Sequence, residues 1–421
     1  MLSCRGRKNV AGLERPWRFA PTQTYNPDTN PSGLISFGLA ENAPMRADIA
    51  NYINEKVIFT TDSVSYRSSA SINARLPIAT AAHLNRILGA HTPIQPDHVL
   101  VADSATSLGN MLGRNLAETG DAILVSRPMY GRFELDYGVE ADVEIVYADT
   151  TIDEGFTPNV VEKYEIALAE AEERGVRIRA VLVVNPHNPV GRCYPADILK
   201  ATAQFCAKHS IHLISDEIYA SCVFASGDPE AVPFTSILAL NLGKIIDPNL
   251  VHVLYGFSKD FASGGLHLGF LVTQNKQLRH ACKMILRLHS PSQAAITIGT
   301  TILEDQDFVS SFTAKSRNSL AAGYRLVTSF LDQEGIEYAK GGNAGFFVYV
   351  NFSSFLLKDD SPTQTQEFKL AQKFLDEGVF LHPGEEHGKD VGWFRLVYSH
   401  DELTLREGLR RLLGALQRTN R

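Results

Sequence analysis

The clearest pattern along the chain is a set of short apolar runs at 122–125, 180–184, 211–215 and 251–255, rich in Val, Ile and Leu. Polar residues do not alternate within them, so both faces of each strand must be covered, as in a parallel sheet between helices. Amphipathic stretches separate the runs. Residues 195–209 predict a helix after an Asn- and Pro-rich loop, and Leu108, Met111, Leu112 and Leu116 share one helical face. From about residue 75 to 300 this alternation predicts a doubly wound α/β arrangement.

Beyond about residue 305 the texture changes. A long helical stretch precedes Gly341-Gly342-Asn343-Ala344-Gly345 and a strand-like segment at 346–351. Ser399 and Glu402 have capping-box spacing ahead of Leu405, Leu409, Leu412, Leu413 and Leu416, which predicts an amphipathic closing helix. Residues 1–40, rich in Pro, Asn, Thr and Gly, read as an extended arm. The expected organisation is an arm with a small-domain segment over 1–70, a large α/β domain over 71–304 and a small α+β domain over 305–421.

Composition narrows the function classes. With 421 residues, 44% hydrophobic and 21% charged, the chain can bury a sizeable core without staples. A net charge of −7 argues against nucleic acid, whose phosphates are bound by basic faces. Cys4, Cys193, Cys206, Cys222 and Cys282 lack metal-ligand spacing, and their odd number fits a reducing compartment; no metal site is expected. No apolar stretch approaches the roughly 20 residues that span a bilayer, so no membrane partner is expected. Arg5, Arg7, Lys8, Arg15 and Arg18 face only Glu14 in the first twenty residues, as in a transit peptide, but Gly6, Gly12 and Pro16 interrupt a clean amphipathic helix. The expected location is the cytoplasm, with mitochondrial targeting as the alternative.

Ligands of open α/β sheets bind beyond the carboxyl ends of the strands, so the residues that follow each apolar run are the informative ones. Val184 leads into Asn185-Pro186-His187-Asn188-Pro189-Val190-Gly191, Ile214 into Asp216-Glu217-Ile218-Tyr219, and Tyr255 into Gly256-Phe257-Ser258-Lys259. An amide, a carboxylate with a phenol, and a hydroxyl with an amine thus stand at three strand ends. Burial lowers a lysine's pKa and suits it to forming an imine with a carbonyl. A neighbouring carboxylate can keep a pyridinium nitrogen protonated. Ser104-Ala105-Thr106-Ser107, at a helix N-terminus, offers a place for phosphate. Taken singly, each residue has a blander reading: a lone Asp or Lys beside a strand is usually a solvated loop charge, and Asn-Pro loops are ordinary turn chemistry. Their order and context together favour one cofactor site.

These segments resemble the class I/II aminotransferase family of fold-type I pyridoxal-phosphate enzymes, and most closely its 1-aminocyclopropane-1-carboxylate-synthase-like branch. The resemblance runs from Gly38-Leu39-Ala40-Glu41-Asn42 to Gly392-Trp393-Phe394-Arg395. It implies a large doubly wound, mainly parallel sheet domain with a smaller α+β C-terminal domain, pyridoxal 5′-phosphate as cofactor, and a homodimer with shared active sites. Lys259 would carry the cofactor as an imine and move protons at the substrate α-carbon. Asp216 would pair with the pyridine nitrogen, and Tyr219 and Asn188 with the ring oxygen. Tyr130 matches the aromatic stacked on the ring; Ser104, Ala105, Thr106 and Ser258 fall at the phosphate, and Tyr66 matches a tyrosine reaching the partner's phosphate. Arg395 matches the arginine that forks onto the substrate carboxylate. Glu41, Asn188 and Asn343 fall near substrate.

Two positions depart from the family's pattern. His267 stands where an arginine usually holds the phosphate, and Gly256 where a serine is common, so weaker cofactor binding is expected. The implied activity is aminotransferase-type chemistry on a small amino acid or amino-acid conjugate, in specialised metabolism. The alternative is a lyase on the same scaffold, eliminating a β or γ substituent as in carbon–sulfur cleavage, or reacting as the cyclopropane synthases do. A non-catalytic relative is the remote reading. The absence of Gly-x-Gly-x-x-Gly, His-Glu-x-x-His and Gly-x-Ser-x-Gly leaves dinucleotide, zinc-peptidase and serine-hydrolase readings without local support.

Overall fold

The computed structural model describes residues 1–14, 24–65, 70–356, 363–383, 388 and 391–419. Its strands in chain order are β1 (Ile35–Ser36), β2 (Val99–Ala102), β3 (Ala122–Ser126), β4 (Glu144–Ala148), β5 (Ile178–Val184), β6 (His212–Asp216), β7 (Val251–Gly256), β8 (Gly269–Thr273), β9 (Phe347–Asn351), β10 (Val379–Phe380) and β11 (Trp393–Val397). All four apolar runs are strands. They lie in one seven-stranded sheet of order β2-β8-β7-β6-β5-β3-β4. The five strands from β7 to β4 are parallel, and β8 runs antiparallel to both its neighbours.

Absence of polar alternation has the expected consequence: every residue of β3, β7 and β8 is buried. Successive side chains enter opposite layers. Leu124, Val181 and Val253 join a core with helices 70–88, 159–173 and 196–209, while Ile123, Leu182 and Leu254 pack under Leu108, Met111 and Leu112 of helix Ala105–Leu116. Each such Leu, Ile or Val contributes about 2 kcal/mol by burial.

A further core surrounds the antiparallel pair β9–β11 and the parallel pair β1–β10. It takes Ile35 and Phe37 from the N-terminal side and leucines of the helix Glu402–Thr419. Arg411, buried beside this core, ties the two ends of the chain together. Its guanidinium donates to the Gly33 and Pro31 carbonyls, each at 2.7 Å, and to Glu407 at 2.7 Å.

Two local expectations are corrected. Residues Cys4–Leu13 form a helix rather than extended chain, with Ser3 capping it and no residue buried. Glycine in an exposed helix costs only about 1 kcal/mol, so Gly6 and Gly12 do not prevent it. At the C-terminal helix the cap is Asp401, which accepts from the Thr404 N–H at 3.0 Å. Ser399 instead donates to the Glu41 carbonyl, because the helix begins three residues later, at Glu402.

Candidate active site

The carboxyl ends of β5, β6 and β7 and the N-terminus of helix Ala105–Leu116 enclose a cavity of about 470 Å3. Ser104, Ala105, Thr106, Tyr130, Asn188, Asp216, Tyr219, Ser258, Lys259 and Arg395 all line it. Ten sequence-predicted site residues, drawn from segments up to about 290 positions apart, therefore face one space.

Local packing explains how they are held. The Asn185 side chain accepts from the Tyr194 N–H at 3.1 Å and donates to the Thr235 carbonyl at 2.8 Å, bracing the loop that carries Asn188. Gly191 closes that loop at φ +75°, where a Cβ would lie 2.8 Å from the Phe347 carbonyl oxygen. Ser104 caps its helix by accepting from the Ser107 N–H at 3.0 Å. Gly269 permits β8 to back onto that cap, since a Cβ there would be 2.5 Å from the Ser104 carbonyl carbon. The same crowding accounts for Gly256: a Cβ would meet Ile218 at 2.9 Å and the Leu268 carbonyl at 3.0 Å, so a serine does not fit without movement.

Across the cavity, Arg395 donates from one nitrogen to Asn188 at 3.0 Å and from another to the Gly38 carbonyl at 2.7 Å. The Lys259 amine donates to the Ala40 carbonyl at 2.7 Å and lies 5.9 Å from the centre of the Tyr219 ring. Tyr219 is fixed edge-on between Phe346 and Phe347. Burial lowers the Lys259 pKa to about 8, with the Arg395 charge acting in the same direction. Burial raises Asp216 to about 6, against the opposing pull of the Ile218 N–H and Lys259.

Other predicted residues fall elsewhere. Glu41 does not line the cavity; it is ion-paired with Arg46. Asn343 is buried away from the lining and donates to the Val232 carbonyl at 2.7 Å. His267 is exposed, at φ +50°, and is not among the lining residues. Tyr66 lies outside the described residues.

The cavity also contains residues that sequence reasoning missed. Asp136 lines it from the short helix Phe133–Gly138, with a pKa pushed up to about 7 by burial and by the Asp216 charge. Thr106 is its hydrogen-bond partner. His382, buried and bridged to Arg395 through the backbone, forms another part of the wall. Asp136 is placed three residues after Phe133 in a helical turn, and nothing in that spacing separates a cavity carboxylate from a solvated one.

The aminotransferase class I and II family model matches residues 62–412. The chain belongs to this family. A mouse relative, 1-aminocyclopropane-1-carboxylate synthase-like protein 1, is 30% identical over 99% of this chain and 83% of its own length. A rice relative, 1-aminocyclopropane-1-carboxylate synthase 6, is 30% identical over 95% of this chain and 75% of its own. An aromatic aminotransferase structure from Pyrococcus horikoshii OT3 superposes with a TM-score of 0.75 at 19% identity, covering 94% of this chain and 97% of that one. The fold is therefore the fold-type I aminotransferase fold. Among the described residues no helix is long and apolar enough to cross a membrane.

Pyridoxal 5′-phosphate is the cofactor of the family and of this chain. The cavity fits it on physical grounds. A half-buried carboxylate, a lysine of lowered pKa and a capped helix N-terminus face one space of sufficient size, matching a pyridine nitrogen, an aldehyde and a phosphate.

Proposed function

We propose that this chain is an active pyridoxal-phosphate enzyme that works at the α-carbon of a small amino acid or amino-acid conjugate, by aminotransferase-type chemistry in specialised metabolism. The observation that carries the proposal is the placement of the Lys259 amine in the same cavity as Asp216 and Arg395. When bound, the cofactor supplies an aldehyde that condenses with amines and a ring that draws electrons from the α-carbon. Asp216 would hold the ring nitrogen and keep it protonated. Arg395, held by Asn188 and Gly38, grips the substrate carboxylate and so fixes which α-carbon bond faces Lys259. With its pKa lowered to about 8, the Lys259 amine titrates close to neutrality, which suits it to take the α-proton and return it at a neighbouring atom. Asn188 and Tyr219 would hold the ring oxygen, Tyr130 would lie against the ring, and Ser104, Ala105, Thr106 and Ser258 would hold the phosphate.

A lyase is the second reading, favoured by the similarity to the rice relative named 1-aminocyclopropane-1-carboxylate synthase 6. Both reactions begin with removal of the α-proton, so they divide only at the next step. The chain would act as a homodimer; Ile58, Phe59 and Val64, exposed just before Tyr66, offer apolar surface for a second copy.

The deciding assay presents the holoenzyme with an amino-acid panel and with cysteine conjugates. Turnover that strictly requires an added keto acid supports transamination. Pyruvate, ammonia and thiol released without a keto acid identify elimination, and no turnover of any substrate overturns the catalytic reading.

A further inference from the structure

Behind Lys259 lies a buried polar cluster that the proposed chemistry leaves unused. Asp260, the next residue, is 3% exposed and faces away from the cavity, and its two oxygens accept three hydrogen bonds. One comes from the Ser221 N–H at 3.0 Å, one from the Tyr255 hydroxyl at 2.8 Å and one from the Cys222 thiol at 3.1 Å. Ser221 and Cys222 belong to the turn that carries Tyr219, and Tyr255 belongs to β7. A single carboxylate thus joins the lysine-bearing turn, the tyrosine-bearing turn and the strand between them.

The cluster continues outward. The His83 ring, from helix Ala70–Leu88, lies 3.1 Å from the Tyr255 hydroxyl. Burial lowers the His83 pKa to about 3, so the ring is neutral. Because the tyrosine proton goes to Asp260, His83 must donate from Nε2, which leaves Nδ1 as the unpartnered acceptor. From helix Gln306–Gln333, Arg317 donates to the Ser221 carbonyl at 2.9 Å, and its charge acts on Cys222. Burial and the Asp260 charge push the Cys222 thiol well above its usual range, so it stays neutral, while Asp216 and Arg395 act on Lys259 from the cavity. Burial pushes the Asp260 pKa up to about 6, partly countered by its three donors, so it is ionised at neutral pH. Buried charge of this kind is costly, and it is tolerated here because three donors converge on it.

We propose that Asp260 is a positioning residue: as a buried carboxylate it locks the Lys259 turn to the Tyr219 turn and to β7, and so fixes where the Lys259 amine stands relative to Asp216 and Arg395. This inference rests on Lys259 being the cofactor-bearing lysine.

Asp260→Asn tests it, because an amide keeps the shape and can still accept from Ser221 and Tyr255 while losing the charge and the Cys222 bond. The holoenzyme variant is expected to lose kcat by about tenfold or more, with KM for the amino donor within about twofold, since misplacing the lysine affects the proton transfer more than binding. The pH midpoint of the visible cofactor band should move by on the order of half a pH unit, because a displaced lysine nitrogen meets the charges of Asp216 and Arg395 at changed distances. Unchanged kcat and midpoint overturn the proposal. Should Asp260→Asn fail to fold, Tyr255→Phe and Cys222→Ala each remove one donor. Both should shift the midpoint, with Cys222→Ser restoring it, and wild-type midpoints in both also overturn the proposal. If the wild-type protein forms its band on a different lysine, the fault lies with the Lys259 assignment and not with Asp260.

Discussion

The two ends of β6 and β7 hold buried titratable groups of opposite kinds. At the amino ends, His212 and His252 are hydrogen-bonded to each other at 2.9 Å, and His252 continues to the Thr273 hydroxyl at 2.8 Å. Burial holds both rings neutral, lowering His212 to about 4 and His252 to about 3. At the carboxyl ends, Asp216 and Lys259 face a cavity, and burial draws their pKa values toward each other, to about 6 and about 8. The same two strands therefore carry polarity that is satisfied within the protein and polarity that is left for a ligand. Burial alone does not mark a functional residue; facing an open cavity does.

The largest expected break in this comparison is Lys259→Ala. It should lower turnover by about 10³-fold and abolish the imine band, while loosely held cofactor keeps only the spectrum of the free aldehyde. An unchanged spectrum would refute the assignment of the lysine. Next is Asp216→Asn, expected to cost about 10²-fold in kcat by removing the charge that holds the ring nitrogen protonated. Its effect on the apoprotein should be opposite in sign. Asp216 binds its proton more tightly in the folded state, so its contribution to stability falls as pH rises from about 4 to about 6. Thermal unfolding of the apo variant should therefore occur at higher temperature than wild type above pH 6 and at a similar temperature near pH 4. No gain above pH 6 would mean that Asp216 is not destabilised in the empty site.

At the other end, His252→Leu should leave kcat and KM unchanged and cost about 2 kcal/mol of stability, because it strands the His212 and Thr273 partners. The sign with pH is again distinctive. The folded ring resists protonation, so its stabilising effect is present above about pH 6.5 and is lost as pH falls toward 3. The variant should lose less stability than wild type on acidification. Loss of catalysis in well-folded His252→Leu would erase the distinction between the two ends. The smallest effect is expected from His267→Arg: because position 267 is exposed and outside the cavity lining, cofactor loss in dialysis should stay within about twofold of wild type. Markedly slower loss would place residue 267 at the phosphate after all.

Much of this site was legible because unbroken apolar runs force buried parallel strands, and the residues after such strands have few places to point. Asp216, Lys259 and Asn188 follow from that rule. Arg395 was reached by resemblance, since it lies within β11 and its own surroundings in the sequence mark nothing. Asp136 and Asp260 were not found: each is an acidic residue in a short helical turn, a pattern that ordinarily means solvent. Only the tertiary packing of helix Ala105–Leu116 on one and of Ser221, Cys222 and Tyr255 around the other reveals their burial. Glu41 differs in the opposite direction. The resemblance put it near substrate, and here its carboxylate pairs with Arg46, five residues on, outside the cavity lining.

The central claim is that Lys259 bears the cofactor. It is tested most directly by loading the wild-type protein with pyridoxal 5′-phosphate, reducing with borohydride and mapping the modified peptide by mass spectrometry. The phosphopyridoxyl group should be found on Lys259, in the peptide containing Gly256-Phe257-Ser258. Stoichiometric label on any other lysine, with Lys259 unmodified, would contradict the account.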